Sequence, residues 1–345
     1  MKYRMMGKEI RPVKNALVLS GGGAKGAYQV GVIKGMLARG IKPDLVTGSS
    51  IGAFNGVLLA EFIHLGLSNT QIAKRLEGVW MEIDDFLTFN WYGILSNLFT
   101  PFDIPSIYTN KIIKRVLNSY IPRERKFSDY TSCQLSVTGT NLNKKELTVF
   151  DFNSAVPVNK AVLASMAYPV ALPSVRIGKD HYIDGGALDN APLKEAILWG
   201  ARNIYVIFLK PLHLIEGGDN NGGEEREDFS ALDVIEEFVD LATSKLMYGD
   251  LHKAEKLNQL IKLLNKYEKV LPRGFLSEIR RLFGLKFGDG KRIIRIVKIA
   301  PDKVLEPPGT MGFDQKEAIA ELILKGERDA GKWLRQHLLS KRALI

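Results

Sequence analysis

Cysteine is almost absent, with Cys133 the single one in 345 residues. That excludes an intrachain disulfide framework and leaves a cysteine-rich zinc site without ligands. Histidine is scarce as well. His64, His181, His213, His252 and His337 stand in no patterned catalytic context, so a histidine-based triad has no evident member. No stretch reaches the roughly 18 consecutive apolar residues of a membrane span; the best candidate, 56–67, is interrupted by Glu61 and His64. Behind the basic N-terminus the apolar run 16–19 is shorter than the ~7–15 residues of a signal-peptide core. A cytoplasmic protein, at most peripheral to a membrane, is the expectation. The chain also lacks an internal repeat and a linker that would divide it.

What is present is ordinary in bulk and uneven in detail. Hydrophobic residues make up 46% and charged residues 25%, which fits a globular protein and excludes a mainly disordered or fibrous one. Lys and Arg exceed Asp and Glu by 48 to 38, a formal charge of +10. Such an excess suits an anionic partner, whether nucleic acid, membrane or acidic substrate. Residues 1–43 carry +8, 271–300 carry +6 and 301–345 carry +1, which leaves −5 for 44–270. Two basic patches thus flank a mildly acidic body.

Along the chain, residues 1–14 read as a basic arm. The apolar run 15–20 then reads as a short buried strand ending in Gly21-Gly22-Gly23. Helical spacing follows over 27–37, with Tyr28, Val32 and Leu37 expected on one apolar face. Residues 44–47 begin a second strand, and Gly48-Ser49-Ser50-Ile51-Gly52 turns into a second apolar helix to about residue 65. This alternation predicts a parallel sheet with covering helices. Later strands are expected at 134–140, 146–150, 204–209 and 293–299, a helix at 158–166 and a terminal helix. Residues 86–108 are rich in aromatics. Residues 216–240 hold ten acidic groups against Arg226 and read as a flexible acidic loop.

Two glycine motifs carry the chemistry. Gly21-Gly22-Gly23-Ala24-Lys25-Gly26 satisfies G-x-G-x-x-G between a strand and a helix. A dinucleotide site would need an acid at the end of the second strand, whereas Asp44 stands at its start. A Walker loop fails because no Lys-Ser/Thr pair follows Gly26. Such a loop can instead present backbone N–H groups to a developing oxyanion. Gly48, Ser50 and Gly52 match the G-x-S-x-G nucleophile elbow in its strand-to-helix setting. Ser49 and Ser50 acting merely as helix caps is the plainer alternative. A serine nucleophile needs a base. Asp184, followed by Gly185 and Gly186, is the candidate; an ordinary Asp-Gly turn is the alternative there.

Taken together, these residues resemble the patatin-like phospholipase family. That family joins a glycine-rich oxyanion loop, a G-x-S-x-G serine and a D-G-G or D-G-A aspartate in this order, without a catalytic histidine. The segment 164–169, Ala-Ser-Met-Ala-Tyr-Pro, is similar to the family's A-S-x-A-x-P stretch. Lys25 stands where the family usually has Arg, keeping the charge but losing the planar fork. The resemblance spans roughly residues 15–210. It implies an α/β fold, a three-layer α/β/α sandwich with a mostly parallel central sheet, patatin-like (FabD/lysophospholipase-like). Residues 15–210 would form the catalytic core, and 211–345 the C-terminal part of the same domain. Ser50 would be the nucleophile and Asp184 its base. The oxyanion loop would comprise Gly21, Gly22, Gly23, Ala24, Lys25 and Gly26. The implied activity is hydrolysis of phospholipid, lysophospholipid or other acyl esters through an acyl-Ser50 intermediate, without cofactor or metal.

Lipid access has its own candidate. Phe275, Ile279, Leu282 and Phe283 fall at helical spacing within 275–287, interleaved with Arg280, Arg281 and Lys286. A basic amphipathic helix contacting an anionic membrane would look like this, and so would a surface helix packed on the core. The same dyad could serve a transacylase, which product analysis with an acceptor alcohol separates. A catalytically idle lipid-binding regulator would fail to react with a fluorophosphonate. Nucleic-acid binding has only the charge in its favour and no motif.

Overall fold

A computed structural model of the chain describes residues 3–5, 8–10, 13–83, 88–89, 106, 108–216, 231–282, 293–306, 313 and 315–342. Most of the aromatic stretch 86–108, residues 217–230 of the expected acidic loop, and Phe283 and Lys286 of the candidate membrane helix lie outside the described residues. Within the basic arm, Tyr3–Met5 and Lys8–Ile10 pair as a short antiparallel hairpin.

The first half follows the expected alternation: β1 (Asn15–Leu19), α1 (Gly26–Leu37), β2 (Leu45–Gly48) and α2 (Ile51–His64). Helices α3 (Asn69–Glu82) and α4 (Lys111–Tyr120) come next, then the hairpin β3 (Gln134–Asn141) and β4 (Glu146–Phe150). Helix α5 (Val158–Ser165) leads into a second hairpin, β5 (Val175–Ile177) and β6 (Asp180–Asp184). The remainder is α6 (Leu193–Leu198), β7 (Asn203–Ile207), α7 (Leu212–Ile215), α8 (Ala231–Lys266), α9 (Arg273–Leu282), β8 (Arg295–Ile299) and α10 (Lys316–Arg342).

One eight-stranded sheet organises these elements, in the order β8-β7-β1-β2-β3-β6-β5 with β4 joined to β3. β8, β7, β1, β2 and β3 are mutually parallel, and the two hairpins add antiparallel strands. Side chains of β1 alternate between two cores, as a period of two requires. Leu17 and Leu19 join a large cluster with α1, α2, α3, α5 and α10. Ala16 and Val18 join a second with α6 and α8. Both faces are therefore covered, giving three layers.

Register sets the site. Leu19 pairs with Gly48, and Gly48 with Val137, so the two glycine turns leave the sheet together at its carboxyl edge. Antiparallel β6 returns to that edge, with Asp184 opposite Gly139.

Three expectations need correction. α1 is not amphipathic: eleven of its twelve residues are buried, because α10, some 300 residues later, covers the face that would otherwise meet water. The tail of the supposed acidic loop, from Ala231, is the start of the 36-residue α8; its apolar positions recur at helical spacing beneath the acidic composition. β8 begins at Arg295 instead of Ile293, whereas 275–282 of the candidate membrane helix are helical as expected, in α9. Glu61, which interrupts the longest apolar run, is itself buried and doubly bonded by Arg125, with Nη2 at 2.7 Å and Nε at 3.0 Å, while the Tyr130 hydroxyl donates at 2.9 Å. Removing one partner of such a pair costs about 3–5 kcal/mol. Among the described residues no helix is long and apolar enough to cross a membrane.

Candidate active site

Ser50 occupies the turn between β2 and α2 at φ 54° and ψ −126°, a conformation that strains a residue bearing a Cβ. Its side chain makes no capping bond to α2, which removes the plain capping alternative. The flanking glycines are steric necessities. A Cβ on Gly52 would overlap the Leu19 carbonyl, and one on Gly48 would lie 2.5 Å from the Gly52 carbonyl oxygen. The Ser50 N–H donates to Ser165 Oγ at 2.9 Å, so a residue of the 164–169 segment holds the strained turn from outside. Sequence reading marked that segment without finding this contact.

Asp184 ends β6 with 3% of its surface exposed. Burial pushes its carboxyl up to about 7, opposed by the nearby Ser50 hydroxyl and by a hydrogen bond from the Gly186 N–H. The Gly186 bond reaches Oδ1 at 2.7 Å. Oδ2 has no partner of good geometry in this resting arrangement, although the Ser50 hydroxyl lies close enough to lower its proton affinity. The backbone is tied on both sides, with Asp184 N–H bonded to Ala167 O and Thr140 Oγ1 to Asp184 O, each at 2.9 Å. Gly185 is obligatory, since a Cβ there would meet Thr138 O at 2.5 Å.

The glycine loop closes the third side. Gly22 and Gly23 take φ values of 149° and 58°, which side chains disfavour, and Gly23–Lys25 form one 3-10 turn into α1. The Gly21 N–H is engaged by Asn190 O at 3.0 Å. Gly21, Gly22, Gly23 and Lys25 face the pocket with Ser50 and Asp184, whereas Ala24 and Gly26 do not line it. The N–H groups of Gly22 and Gly23 have no acceptor among the described residues, which leaves both free to meet an anion. A buried polar chain fixes loop and elbow together. Trp80 Nε1 donates to Asn55 Oδ1 at 2.8 Å, Asn55 Nδ2 to Gln29 Oε1 at 2.9 Å, and Gln29 Nε2 to Ser20 O at 2.7 Å.

Asp44 settles the dinucleotide reading. Its carboxylate accepts the N–H groups of Lys14 and Asn15 at 2.9 and 2.8 Å, at the opposite end of β1 from the glycine loop.

The pocket has two chemical ends. Ile113, Met166, Pro169, Leu172 and Phe313 supply apolar wall, while Lys210, Asp240, Thr243 and Asn190 supply a polar one. No histidine lines it among the described residues. Lys210 is ion-paired to the Asp240 carboxylate and donates to Ser244 Oγ at 2.8 Å; burial lowers its proton affinity, with Asp240 opposing. These α8 contacts were invisible in the sequence, where 216–240 read as a loop. The candidate membrane residues stand apart from the pocket. Among the described side chains of α9 Leu276 is the buried one, Ile279 is half-buried, and Phe275, Arg281 and Leu282 are exposed; the side chain of Arg280 lies outside the described residues.

A family model described as patatin-like phospholipase matches residues 17–197, the span that holds the glycine loop, Ser50 and Asp184. Patatin-like phospholipase domain-containing protein 7 of Mus musculus is 30% identical over 197 residues, covering 56% of this chain and 13% of its own length. Patatin-like phospholipase domain-containing protein ZK370.4 of Caenorhabditis elegans is 25% identical over 322 residues, 91% of this chain and 20% of that protein. Lysophospholipase NTE1 of Lodderomyces elongisporus is 27% identical over 196 residues, 55% of this chain and 12% of that protein. The chain thus spans a fifth or less of these relatives. Among solved structures, VipD from Legionella pneumophila aligns at 16% identity and a TM-score of 0.44, over 97% of this chain and 70% of that one. With the family match covering just over half of its residues, the chain belongs to the patatin-like phospholipase family.

Proposed function

We propose that the protein is a serine lipid acyl hydrolase acting on phospholipids or lysophospholipids, with Ser50 as nucleophile and Asp184 as base. The observation that carries this reading is a strained, non-capping serine beside a buried carboxyl poised near pH 7. An aspartate with an ordinary value would accept a proton poorly; one near 7 is matched to the task at neutral pH.

Asp184 takes the Ser50 hydroxyl proton as Oγ attacks the ester carbonyl, and the tetrahedral oxyanion forms against the free Gly22 and Gly23 amides. Collapse breaks the ester bond, and Asp184 returns the proton to the departing alcohol or lysophospholipid. Water then attacks the acyl-Ser50 ester with Asp184 again as base. The fatty acid leaves and the proton passes back to Ser50. The apolar wall suits an acyl chain, and the Lys210–Asp240 end suits a polar head.

Ser50→Ala and Asp184→Asn each lower hydrolysis of a p-nitrophenyl acyl ester and of a lysophospholipid at least ~1,000-fold, with the fold intact by circular dichroism. A fluorophosphonate labels the wild type and not Ser50→Ala. Activity rises with pH through an apparent value near 7, as Asp184 loses its proton. Full turnover by Ser50→Ala would refute the assignment.

A further inference from the structure

Helix α8 walls the pocket with one face and leaves the opposite face bare. Thr243, Met247, Leu251, Ala254, Ile261 and Leu264 are buried, and Thr243 and Met247 line the pocket. At ~100° per residue, a different set gathers into an arc of about 80° on the far side. Its apolar members are Val234, Phe238, Leu241, Tyr248 and Leu263, all exposed, with Phe238 at 70% and Leu241 at 68%.

Between them stand Lys245, His252, Lys256, Gln259 and Lys266, also exposed. No Asp or Glu falls inside the arc; Glu237 and Glu255 border one edge, and Glu255 is paired with Lys298 at 3.1 Å. Among the described residues none of Lys245, Lys256 and Lys266 has a carboxylate partner, and Lys266 lies over the Tyr267 ring at 5.3 Å. Tyr248 and His252 stack with ring centroids 5.9 Å apart. Exposed apolar groups continue past the helix end with Tyr267 and Val270, and onto α9 with Phe275 and Leu282. A soluble surface seldom aligns so many apolar side chains over 36 residues.

We propose that this stripe of α8, continued by α9, is the surface on which the protein lies against a lipid bilayer containing anionic lipid. Apolar side chains would enter the headgroup boundary while unpaired lysines meet lipid phosphates. Charge complementarity selects this occupant: an apolar face for a protein partner has no need of free lysines at regular intervals. Since the other face of α8 is pocket wall, docking puts the pocket one helix diameter, ~10 Å, from the lipid. The proposal rests on reading that pocket as a lipid acyl site, and its test is separable from that reading.

The experiment is co-sedimentation with vesicles of phosphatidylcholine alone and with about one third phosphatidylglycerol. It uses the full chain and two variants: Phe238→Gln/Leu241→Gln/Leu263→Gln and Lys245→Gln/Lys256→Gln/Lys266→Gln. Wild type is expected to prefer the anionic vesicles. The apolar variant should bind them at least tenfold more weakly. The lysine variant should lose roughly fivefold per charge and its sensitivity to salt. Hydrolysis of a soluble p-nitrophenyl ester should be unchanged in both, since none of these residues lines the pocket; equal rates also show that both variants fold. Undiminished vesicle binding by both variants, or no binding by wild type, overturns the proposal. So does a wild-type dimer in gel filtration that the apolar variant splits without any change in vesicle binding. Wild type that binds through the stripe yet cleaves no soluble ester would refute the hydrolase reading alone.

Discussion

At the scale of single residues, the site is built against stability. Asp184 has an ordinary value of 3.8 and is held near 7 by burial. Between those pH values the folded protein keeps a proton that the unfolded chain has released, so folding takes one up. Stability contributed at this position therefore falls as pH rises from about 4 to 7 and levels above. Asp184→Asn cannot titrate and escapes the fall. The variant should match wild type near pH 4 and exceed it above pH 7 by a few kcal/mol, since three pKa units correspond to about 4 kcal/mol at most. Thermal unfolding of both proteins across pH 4–8 checks this; parallel curves would show that Asp184 is not buried as a charge. Its gain in stability would come with loss of the proposed base, as expected where a functional group is held in an unfavourable setting.

Among elements, what could be read in advance depended on how locally each is specified. β1, α1, β2 and α2 are bounded by glycines whose steric reasons lie within a few residues, so G-x-S-x-G and the glycine loop announced themselves. The Asp184 turn was legible for the same reason. Helix α8 was not, because the acidic residues of 216–240 outweighed a helical spacing whose partners lie elsewhere in the chain. Besides lining the pocket with Thr243 and Met247, it is tied there by Lys210, on the segment after β7, which pairs with Asp240 and Ser244. Nothing near either residue in sequence signals that meeting. Lys210→Met should free the middle of α8: amide exchange over 240–250 rises severalfold, and the β1 and β7 amides keep their protection. Asp240 is about half-exposed and can hydrate when its partner goes, so the global cost should stay near ~1 kcal/mol. A large cooperative loss of stability would show that α8 belongs to the core unit and not to a wall laid against it.

Over the whole molecule, the family match ends at residue 197, but the fold closes much later. Helix α10 packs on α1 backbone against backbone at two glycines. A Cβ on Gly31 would overlap the Ile323 carbonyl, and one on Gly326 would overlap the Tyr28 carbonyl. Tyr28 in turn donates its hydroxyl to Asp329 at 3.2 Å. Since α1 begins at the glycine loop, α10 is the outer support of the proposed oxyanion site. Gly326→Ala must force the two helices apart, and overpacking of this kind costs about 1–3 kcal/mol, against the usual gain from Ala in a helix. Gly78, on α3, supplies the control, because a Cβ there meets nothing within 4 Å. Gly78→Ala should therefore stabilise the protein by about 0.5–1 kcal/mol, so the same substitution changes sign between the two sites. Urea unfolding of the two variants beside wild type measures both shifts. A stabilising Gly326→Ala would mean that α10 does not seat on α1 this closely, and the buried character of α1 would need another cover.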